Sequence, residues 1–148
     1  MAFDNVLGAA NISASGMTAE RLRMEVVAHN IANASSTRTA AGGPYRRQDL
    51  IFAAVLDEGQ KSGSSATSRL GGVRVVDVVE DQSDPLSVFE PGHPDADKNG
   101  MVQYPNVRLP LEMTNLITAS RAYEANVRVA LTFKQMMEHS LTLLRGGA

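Results

Sequence analysis

The chain has 148 residues, a formal net charge of −2 and no cysteine. This length suits one domain with extensions, and a charge near zero provides no basic field for nucleic acid or an anionic membrane. The lack of cysteine excludes disulfides, zinc thiolate sites and a thiol nucleophile. No apolar run reaches the roughly 18 residues of a membrane-spanning helix, and we expect no cleaved secretory signal.

The N-terminal segment, residues 1–36, contains a predicted amphipathic helix from about residue 4 to residue 31. Its apolar residues recur at spacings of three and four, with Arg21 as the one charged interruption: Leu7, Ala10, Ala14, Met17, Met24, Ala28 and Ile31. This spacing is typical of a helix that packs against another helix. Gly8 and Gly16 each weaken an isolated helix by about 1 kcal/mol, so we expect this helix to be stable only when packed.

The middle segment, residues 37–108, has the composition of a small β-rich domain. PYRRQDLIFAAVL (44–56) and GGVRVVDVVED (71–81) predict strands, because β-branched and aromatic residues favour extended backbone. Residues 57–72 are rich in serine and glycine and predict a mobile loop. Residues 85–105 predict two short strands around a turn of proline, glycine, aspartate and asparagine.

The C-terminal segment, residues 109–148, contains a second predicted helix from about residue 110 to residue 144. One row again steps by three and four: Met113, Leu116, Ser120, Tyr123, Val127, Ala130, Lys134, Met137, Leu141 and Leu144. A second apolar row lies beside it and comprises Ile117, Val129, Phe133, Met136 and Leu143. A helix that is apolar over more than one seam suits contact with several neighbours.

These segments predict an α+β fold, in which long N- and C-terminal helices pair as a coiled coil and a small β-rich domain is inserted between them. A β-rich segment of this size cannot cover two long helices by itself. The helices must therefore pack on each other and on other molecules. The sequence accordingly predicts a subunit of an assembly.

No motif for catalysis is evident. DADKNG (95–100) matches the first six positions of an EF-hand loop, but the closing position holds Asn106 where a glutamate is needed. We interpret it as a polar turn, with calcium binding as the alternative. The three histidines lie far apart in the sequence, and Arg46 and Arg47 suit a solvated strand edge or a subunit salt bridge. We predict no catalytic residue, no cofactor and no metal site.

Two motifs at the ends of the helices carry a resemblance to a known family. VVAHNIANASST (26–37) closes the first helix with the Asn-x-x-Asn pattern of Asn30 and Asn33, and EMTNLITASRAYEANVRV (112–129) lies in the second. Both stretches resemble the axial proteins of the bacterial flagellum, which comprise its rod, hook and hook-associated subunits. GPYRRQ (43–48), VFEPGHPDADKNGMVQYPNV (88–107) and the lack of a large inserted domain are similar to the rod members.

The resemblance implies a structural subunit of the proximal rod of the basal body. Such subunits are exported unfolded and without cleavage through the flagellar export apparatus, and they polymerise into a shaft that transmits torque across the periplasm. The expected partners are copies of the chain itself, other flagellar rod proteins and the membrane ring at the rod base. Nucleic acid and small-molecule substrates are not expected. Another rod subunit and a non-flagellar coiled-coil adaptor are the alternatives.

We expect the helices and the Asn-x-x-Asn motif to form the assembly interface. Asn30 and Asn33 are predicted to satisfy backbone groups where the first helix ends, and so to hold the turn toward the β-rich segment. The predicted interface comprises Leu7, Ala10, Ala14, Met17, Met24, Ala28, Asn30, Ile31, Asn33, Met113, Leu116, Ile117, Tyr123, Asn126, Val127, Ala130, Phe133, Met137, Leu141 and Leu144.

Overall fold

The computed structural model describes residues 2–57 and 69–146, and the side chains within 8–55 and 71–143. Two long helices lie at the ends of this described chain, with four strands between them. In chain order the elements are α1 (Ala2–Ala32), β1 (Gln48–Asp57), β2 (Arg69–Glu80), β3 (Leu86–Phe89), β4 (Met101–Tyr104) and α2 (Leu109–Gly146). The α+β class and the predicted order of helices and strands are confirmed.

The strands form two small sheets. β1 pairs with β2, and β3 pairs with β4 in an antiparallel ladder that sets Val88 opposite Val102. Val102 is completely buried, whereas Phe89 remains exposed. β1 ends at Asp57 and β2 begins at Arg69, so strand residues occupy both edges of the segment predicted as a loop. Residues 58–68 lie outside the described residues, and the mobility of this loop stays a prediction.

The two helices are long, and a proline lies at the start of the second. α1 has 31 residues and α2 has 38. Pro110 is the second residue of α2, where its missing N–H has no intrahelical acceptor to lose. Within the part of the chain that the structure describes, neither helix is apolar over enough of its length to cross a membrane.

Contacts divide the chain into two units, and each helix contributes to both. The first unit comprises Met1–Arg21, Phe52–Val76 and Ser120–Ala148, and the second comprises Leu22–Ile51 and Asp77–Ala119. In the first unit Ser13 and Ala19 are buried. Among the described side chains, the apolar core of the second unit contains Val26, Val27, Leu50, Val102 and Ala119.

The least exposed face of α1 differs from the predicted apolar stripe. It follows a row that we call the inner seam of α1, which comprises Ala9, Ser13, Gly16, Glu20, Arg23, Val27 and Asn30. This row precedes the predicted stripe by one residue, or about 100° around the helix. Ala14 and Ala28 of the predicted stripe are exposed. The predicted stripe followed apolar residues, whereas the least exposed row also contains small and polar ones, and the role of the stripe as an assembly interface stays a prediction.

The corresponding row on α2 agrees better with the sequence prediction. The inner seam of α2 comprises Glu112, Leu116, Ala119, Tyr123, Asn126, Ala130, Phe133 and Met137. Leu116, Tyr123, Ala130 and Met137 belong both to this inner seam and to the predicted stripe. Met113 and Leu141 belong only to the predicted stripe and are exposed. A row that keeps spacings of three and four over this length is the pattern of a helix packed along one side.

Candidate functional site

The side chain of Asn30, in the last turn of α1, is completely buried and makes four hydrogen bonds. Nδ2 donates to the carbonyl of Gln48 at 2.8 Å and to Oε2 of Glu112 at 3.2 Å. Oδ1 accepts from the main-chain N–H of Gln48 at 2.9 Å and from the hydroxyl of Tyr45 at 2.8 Å. These bonds use both donors and both acceptor positions of the amide, so no other residue type fits this position equally well.

Glu112 brings a buried negative charge to the same place. It lies in the first turn of α2 with its side chain fully buried. Nε of Arg47 donates to Oε1 of Glu112 at 2.7 Å, and Arg47 is itself only 16% exposed. An ion pair this well enclosed is strongly destabilising to break, because the remaining charge has no water to solvate it.

Arg47 also bonds to carboxylates near the surface. Its Nη1 lies 3.0 Å from Oδ2 of Asp49 and 3.9 Å from Oδ2 of Asp81. Burial by itself lowers the pKa of Arg47, but the hydrogen bonds to Glu112 and Asp49 and their negative charges outweigh it and raise the pKa. The guanidinium thus stays charged while joining the first turn of α2 to the start of β1.

Tyr45 completes a buried cluster that we call the junction and define as Asn30, Tyr45, Arg47, Gln48 and Glu112, and Asn106 borders it. Burial raises the pKa of the Tyr45 phenol, and the nearby carboxylates of Glu80 and Glu112 raise it further, against the opposing effect of Arg47. Oδ1 of Asn106 accepts from the main-chain N–H of Arg47 at 2.9 Å. Four separate stretches of the chain therefore meet at one buried polar cluster.

Asn33, the second asparagine of the motif, acts as a cap. Its Nδ2 donates to the carbonyl of His29 at 2.9 Å, and its Oδ1 accepts from the hydroxyl of Ser36 at 3.2 Å. The main-chain N–H of Asn33 donates to the same His29 carbonyl at 3.1 Å. The side chain of Asn33 thus gives the His29 carbonyl a second donor where α1 ends. The αL geometry that also favours asparagine is not needed at Asn30, which lies within the helix.

A second pair of close contacts lies in the first unit. A Cβ atom added to Gly16 would stand 2.9 Å from Nδ2 of Asn126, so the amide of Asn126 lies in the space that the missing side chain of Gly16 leaves open. Oγ of Ser15 accepts from the main-chain N–H of Val73 at 3.1 Å. The neighbouring Gly72 has a φ of +116°, and a Cβ there would overlap the Ser15 hydroxyl. β2 therefore packs its backbone directly against α1.

The turn at 95–100 uses its carboxylates for contacts within the chain. Oδ2 of Asp95 accepts from the hydroxyl of Thr37 at 2.8 Å, and Oδ1 of the same residue lies 3.7 Å from Arg38. Oδ1 of Asp97 accepts from the main-chain N–H groups of Asn99 and Met101. Among the described residues, no group of three histidine, aspartate or glutamate side chains is placed to hold a metal ion. These contacts are those of a polar turn.

The predicted interface residues are distributed over several environments. Met113, Ile117 and Leu141 are 53%, 55% and 53% exposed. Most of the others are half-buried: Ala10, Met17, Met24, Ile31, Asn33, Leu116, Tyr123, Asn126, Val127, Ala130, Phe133 and Met137. Leu7 and Leu144 lie outside the described side chains. The role of all these predicted interface residues in assembly stays a prediction. The four hydrogen bonds of the Asn30 side chain are all made to residues of the same chain.

Sequence reasoning missed four of the five members of the junction. The sequence predicts a solvated strand edge or a subunit salt bridge for Arg47, yet its ion pair with Glu112 lies within the chain. Tyr45 and the main chain of Gln48 carried no recognisable signal. Glu112 did carry one, because a spacing of four places it in a row with Leu116 and Ala119. A carboxylate in an otherwise apolar row requires a buried partner.

Comparison with known proteins identifies the family of the chain. Residues 11–38 match the family model described as "Flagella basal body rod protein", and residues 98–143 match "Flagellar basal body rod FlgEFG protein C-terminal". The first match contains Asn30 and the second contains Glu112. The two matched segments are thus joined by the hydrogen bond between these side chains.

Whole-length relatives agree with these two matches. The chain is 43% identical to the flagellar basal-body rod protein FlgC of Borreliella burgdorferi over 145 residues, with 92% of this chain and 95% of that protein covered. It is 41% identical to FlgC of Escherichia coli O6:H1, with 90% and 93% covered, and 39% identical to FlgC of Bacillus subtilis, with 90% and 94% covered. The chain therefore belongs to the FlgC family of flagellar basal-body rod proteins, which are structural subunits.

Proposed function

We propose that this rod subunit polymerises through its terminal helices into the proximal part of the shaft that transmits torque. Copies of the chain and other rod proteins are its neighbours along the shaft. The membrane ring at the rod base and the export apparatus are its further partners. The shaft stands in the periplasm, and the chain reaches it without cleavage of a signal peptide. The proposal treats this protein as a mechanical part without catalytic or cofactor sites.

The pairing of α1 with α2 as a coiled coil is the structural basis of this proposal. Gly16 contacts Asn126, and Asn30 contacts Glu112. Fourteen residues separate Gly16 from Asn30, and fourteen separate Glu112 from Asn126 in the opposite chain direction. Each of these contacts brings α1 against α2 within its own unit of the chain. Fourteen residues also equal two heptads, the repeat of a coiled coil.

The junction at Asn30 is the single observation that carries the proposal. It joins the end of α1, the start of β1 and the first turn of α2, and its central side chains are completely buried. A shaft that transmits torque needs subunits whose parts do not shift under load. Fully satisfied buried polar networks supply such rigidity, because every displacement leaves a polar group without a partner.

The exposed apolar side chains support contacts with neighbouring subunits. Met113 and Ile117 lie near the start of α2 and are more than half exposed. In the β-rich segment Leu86 and Phe89 are 62% and 66% exposed. Apolar side chains this open to water on a chain of this size are typical of surfaces that become covered on assembly. The helical segments, 1–36 and 109–148, and the β-rich segment, 37–108, would then each contribute contacts with neighbouring subunits.

Replacing both asparagines of the motif tests the proposal. A chain with Asn30→Ala and Asn33→Ala should be exported at close to the normal level, because export acts on unfolded chain. Its assembly into rods should fall sharply, because the junction and the cap of α1 are both lost. Secreted subunit and subunit in purified basal bodies are measured by immunoblot. Asn11→Ala, an exposed asparagine on α1, is the matched control. Rods assembled at the normal level by the double variant would contradict the proposal.

Hydrogen exchange provides a second test, directed at folding on assembly. Amides of residues 1–21 and 120–148, the helical parts outside the unit that contains the junction, should exchange fast in the free subunit and slowly in basal bodies, if these parts become stable only when neighbours cover them. Strong protection of both segments in the free subunit would identify a self-contained helical hairpin. Assembly would then proceed by docking of preformed helices.

A further inference from the structure

A groove in the second unit presents two opposite charges beside exposed apolar side chains. It has a volume of about 420 Å³, and its lining includes the start of β3, the segment after β4 and the first turn of α2. Leu86, Val107 and Leu111 form apolar parts of this lining, and Asp84 and Arg108 belong to it as well. All of these except the half-buried Val107 are exposed. The groove is therefore open to a partner that brings apolar and charged side chains together.

The other charged side chains of the groove are held by the chain itself. Arg47 is paired within the junction, and the carboxylate of Asp81 accepts from the main-chain N–H and the hydroxyl of Ser83. In contrast, Asp84 and Arg108 form no ion pair with any residue that the structure describes. One available anion and one available cation at an apolar groove favour a partner that carries the complementary pair of charges.

The outer side of α2, in the first unit, carries a matching set of side chains. Glu124, Arg128 and Leu131 are exposed and lie within about 60° of one another around the helix, on the side away from its inner seam. Glu124 and Arg128 are about 6 Å apart along the helix axis, and neither forms an ion pair in the described part of the chain. Lys134 and Glu138 differ from them, because they pair with each other at 3.7 Å.

We propose that the groove of one subunit binds the outer side of α2 of a second copy of the chain. Arg128 of the second copy pairs with Asp84, and Glu124 of the second copy pairs with Arg108. Leu131 of the second copy enters the apolar part of the groove, where its burial stabilises the contact. The inference rests on the proposed polymerisation of the chain and names one contact through which it occurs.

The difference between the two surfaces favours a second copy as the occupant. Each subunit has one groove and one outer side of α2, so it can bind a second copy with the groove and a third copy with the helix. A heterologous contact of this kind does not have to close on two subunits, and a growing shaft requires such a contact. The opposite charges also select which surfaces meet, because like charges brought together at an interface are unfavourable.

Charge reversal on each surface tests the contact. The groove variant carries Asp84→Lys and Arg108→Glu, and the helix variant carries Glu124→Arg and Arg128→Glu. The full-length chains are expressed, separately and together, in a strain that lacks its own copy of this subunit. Subunit in purified basal bodies is measured by immunoblot and compared with secreted subunit.

Either variant alone should assemble about tenfold less than the unaltered chain, because two attractions become two repulsions. Expressed together, the two variants should assemble at close to the normal level. The reversed groove of one variant then accepts the reversed helix of the other, and their two unaltered surfaces match as before. Lys134→Glu with Glu138→Lys, which reverses a pair that is already satisfied, is the matched control and should assemble normally.

The outcomes separate this contact from the proposed function. Normal assembly of either variant alone would overturn the contact. Failure of the two variants to assemble together would also overturn it, and if all four reversals in one chain restore assembly, the two surfaces meet within one chain instead. In these cases the unaltered subunit is still present in basal bodies, so the proposed function stands. Absence of the unaltered subunit from basal bodies would overturn the proposed function, and this contact with it.

Discussion

Asn30 and Gln48 are joined like two residues on neighbouring β-strands. The main-chain N–H of Gln48 donates to Oδ1 of Asn30 at 2.9 Å, and Nδ2 of Asn30 donates to the carbonyl of Gln48 at 2.8 Å. A side chain at the end of a helix thus occupies the place of a strand backbone beside the first residue of β1. This pairing fixes where β1 begins relative to α1, although the two elements are separated by fifteen residues of loop.

The first prediction concerns Asn30→Asp, which keeps the size of the side chain and removes its donors. The carboxylate oxygen in the place of Nδ2 would then face two acceptors, the carbonyl of Gln48 and the carboxylate of Glu112. We expect the free energy of unfolding to fall by about 3 kcal/mol or more, because these groups are buried and lose their partners. Urea unfolding followed by circular dichroism measures the change.

Gln48→Ala is the matched control for this prediction, because Asn30 bonds only to the main chain of Gln48. It should change the free energy of unfolding by less than about 1 kcal/mol. Equal losses from the two variants would show that the bonds of Asn30 are not what stabilises this junction.

The second prediction separates the two adjacent arginines. Arg47→Lys should lower the free energy of unfolding by about 1–3 kcal/mol, because one ammonium cannot reproduce the bonds that Nε and Nη1 make to Glu112 and Asp49. Arg46→Lys should change it by less than about 0.5 kcal/mol, because Arg46 has one long contact, 3.5 Å from Nη1 to the carbonyl of Asp81. Similar effects of both substitutions on thermal unfolding would favour a solvated strand edge for the pair.

The third prediction concerns stability at high pH. Burial, with the charges of Glu80 and Glu112, holds the pKa of Tyr45 above the 10.0 of an unfolded chain. The folded phenol therefore keeps its proton where the unfolded phenol loses it. The contribution of this pKa shift to the free energy of unfolding is complete below pH 10.0 and is lost as the pH rises through the folded-state pKa.

Tyr45→Phe should accordingly flatten the decline in unfolding free energy above pH 10.0. It should also cost about 1 kcal/mol at neutral pH, because the hydroxyl no longer donates to Asn30. The hydrogen bond to Glu90 raises the pKa of Tyr104 as well, so the comparison is made in a Tyr104→Phe background. An undiminished decline in the absence of Tyr45 would assign the pH dependence to other groups.

The fourth prediction concerns the approach of β2 to α1. Gly72→Ala should destabilise the protein by more than about 1 kcal/mol, because a φ of +116° disfavours alanine and its Cβ would overlap the hydroxyl of Ser15. Gly92→Ala should change the free energy of unfolding by less than about 0.5 kcal/mol. A Cβ at Gly92 meets no atom within 4 Å. Thermal unfolding of the two variants checks the difference, and a neutral Gly72→Ala would mean that β2 packs more loosely than this contact implies.

The helices and strands could be predicted because their signals are local. The spacings of three and four mark α1 and α2, and the valine-rich run marks β2. The junction could not be predicted in this way. Arg47 and Glu112 lie 65 positions apart, and Tyr45 bonds to Asn30 across 15 positions. Only the folded backbone brings such residues together.

The buried face of α1 could not be predicted for a different reason. A hydrophobic pattern assigns the inside of a helix to its largest apolar residues, and so selects Met17 and Met24. The structure instead turns Ser13, Gly16 and Asn30 inward. Small side chains on α1 allow the neighbouring helix to approach closely. A polar side chain can be buried there when the neighbouring elements provide its hydrogen-bond partners. Both conditions depend on the neighbouring helix rather than on α1 itself.

The side-chain amide of Asn30 is fully hydrogen-bonded only when every part of the junction is in place. Its four hydrogen bonds require three partner residues: Tyr45 in the loop, Gln48 at the start of β1 and Glu112 in the first turn of α2. With two of them in place, at least one hydrogen-bonding position of the buried amide is still unsatisfied, so partly assembled arrangements are disfavoured relative to both extremes. A subunit built in this way is either ready to join the growing shaft or open enough to be rejected from it.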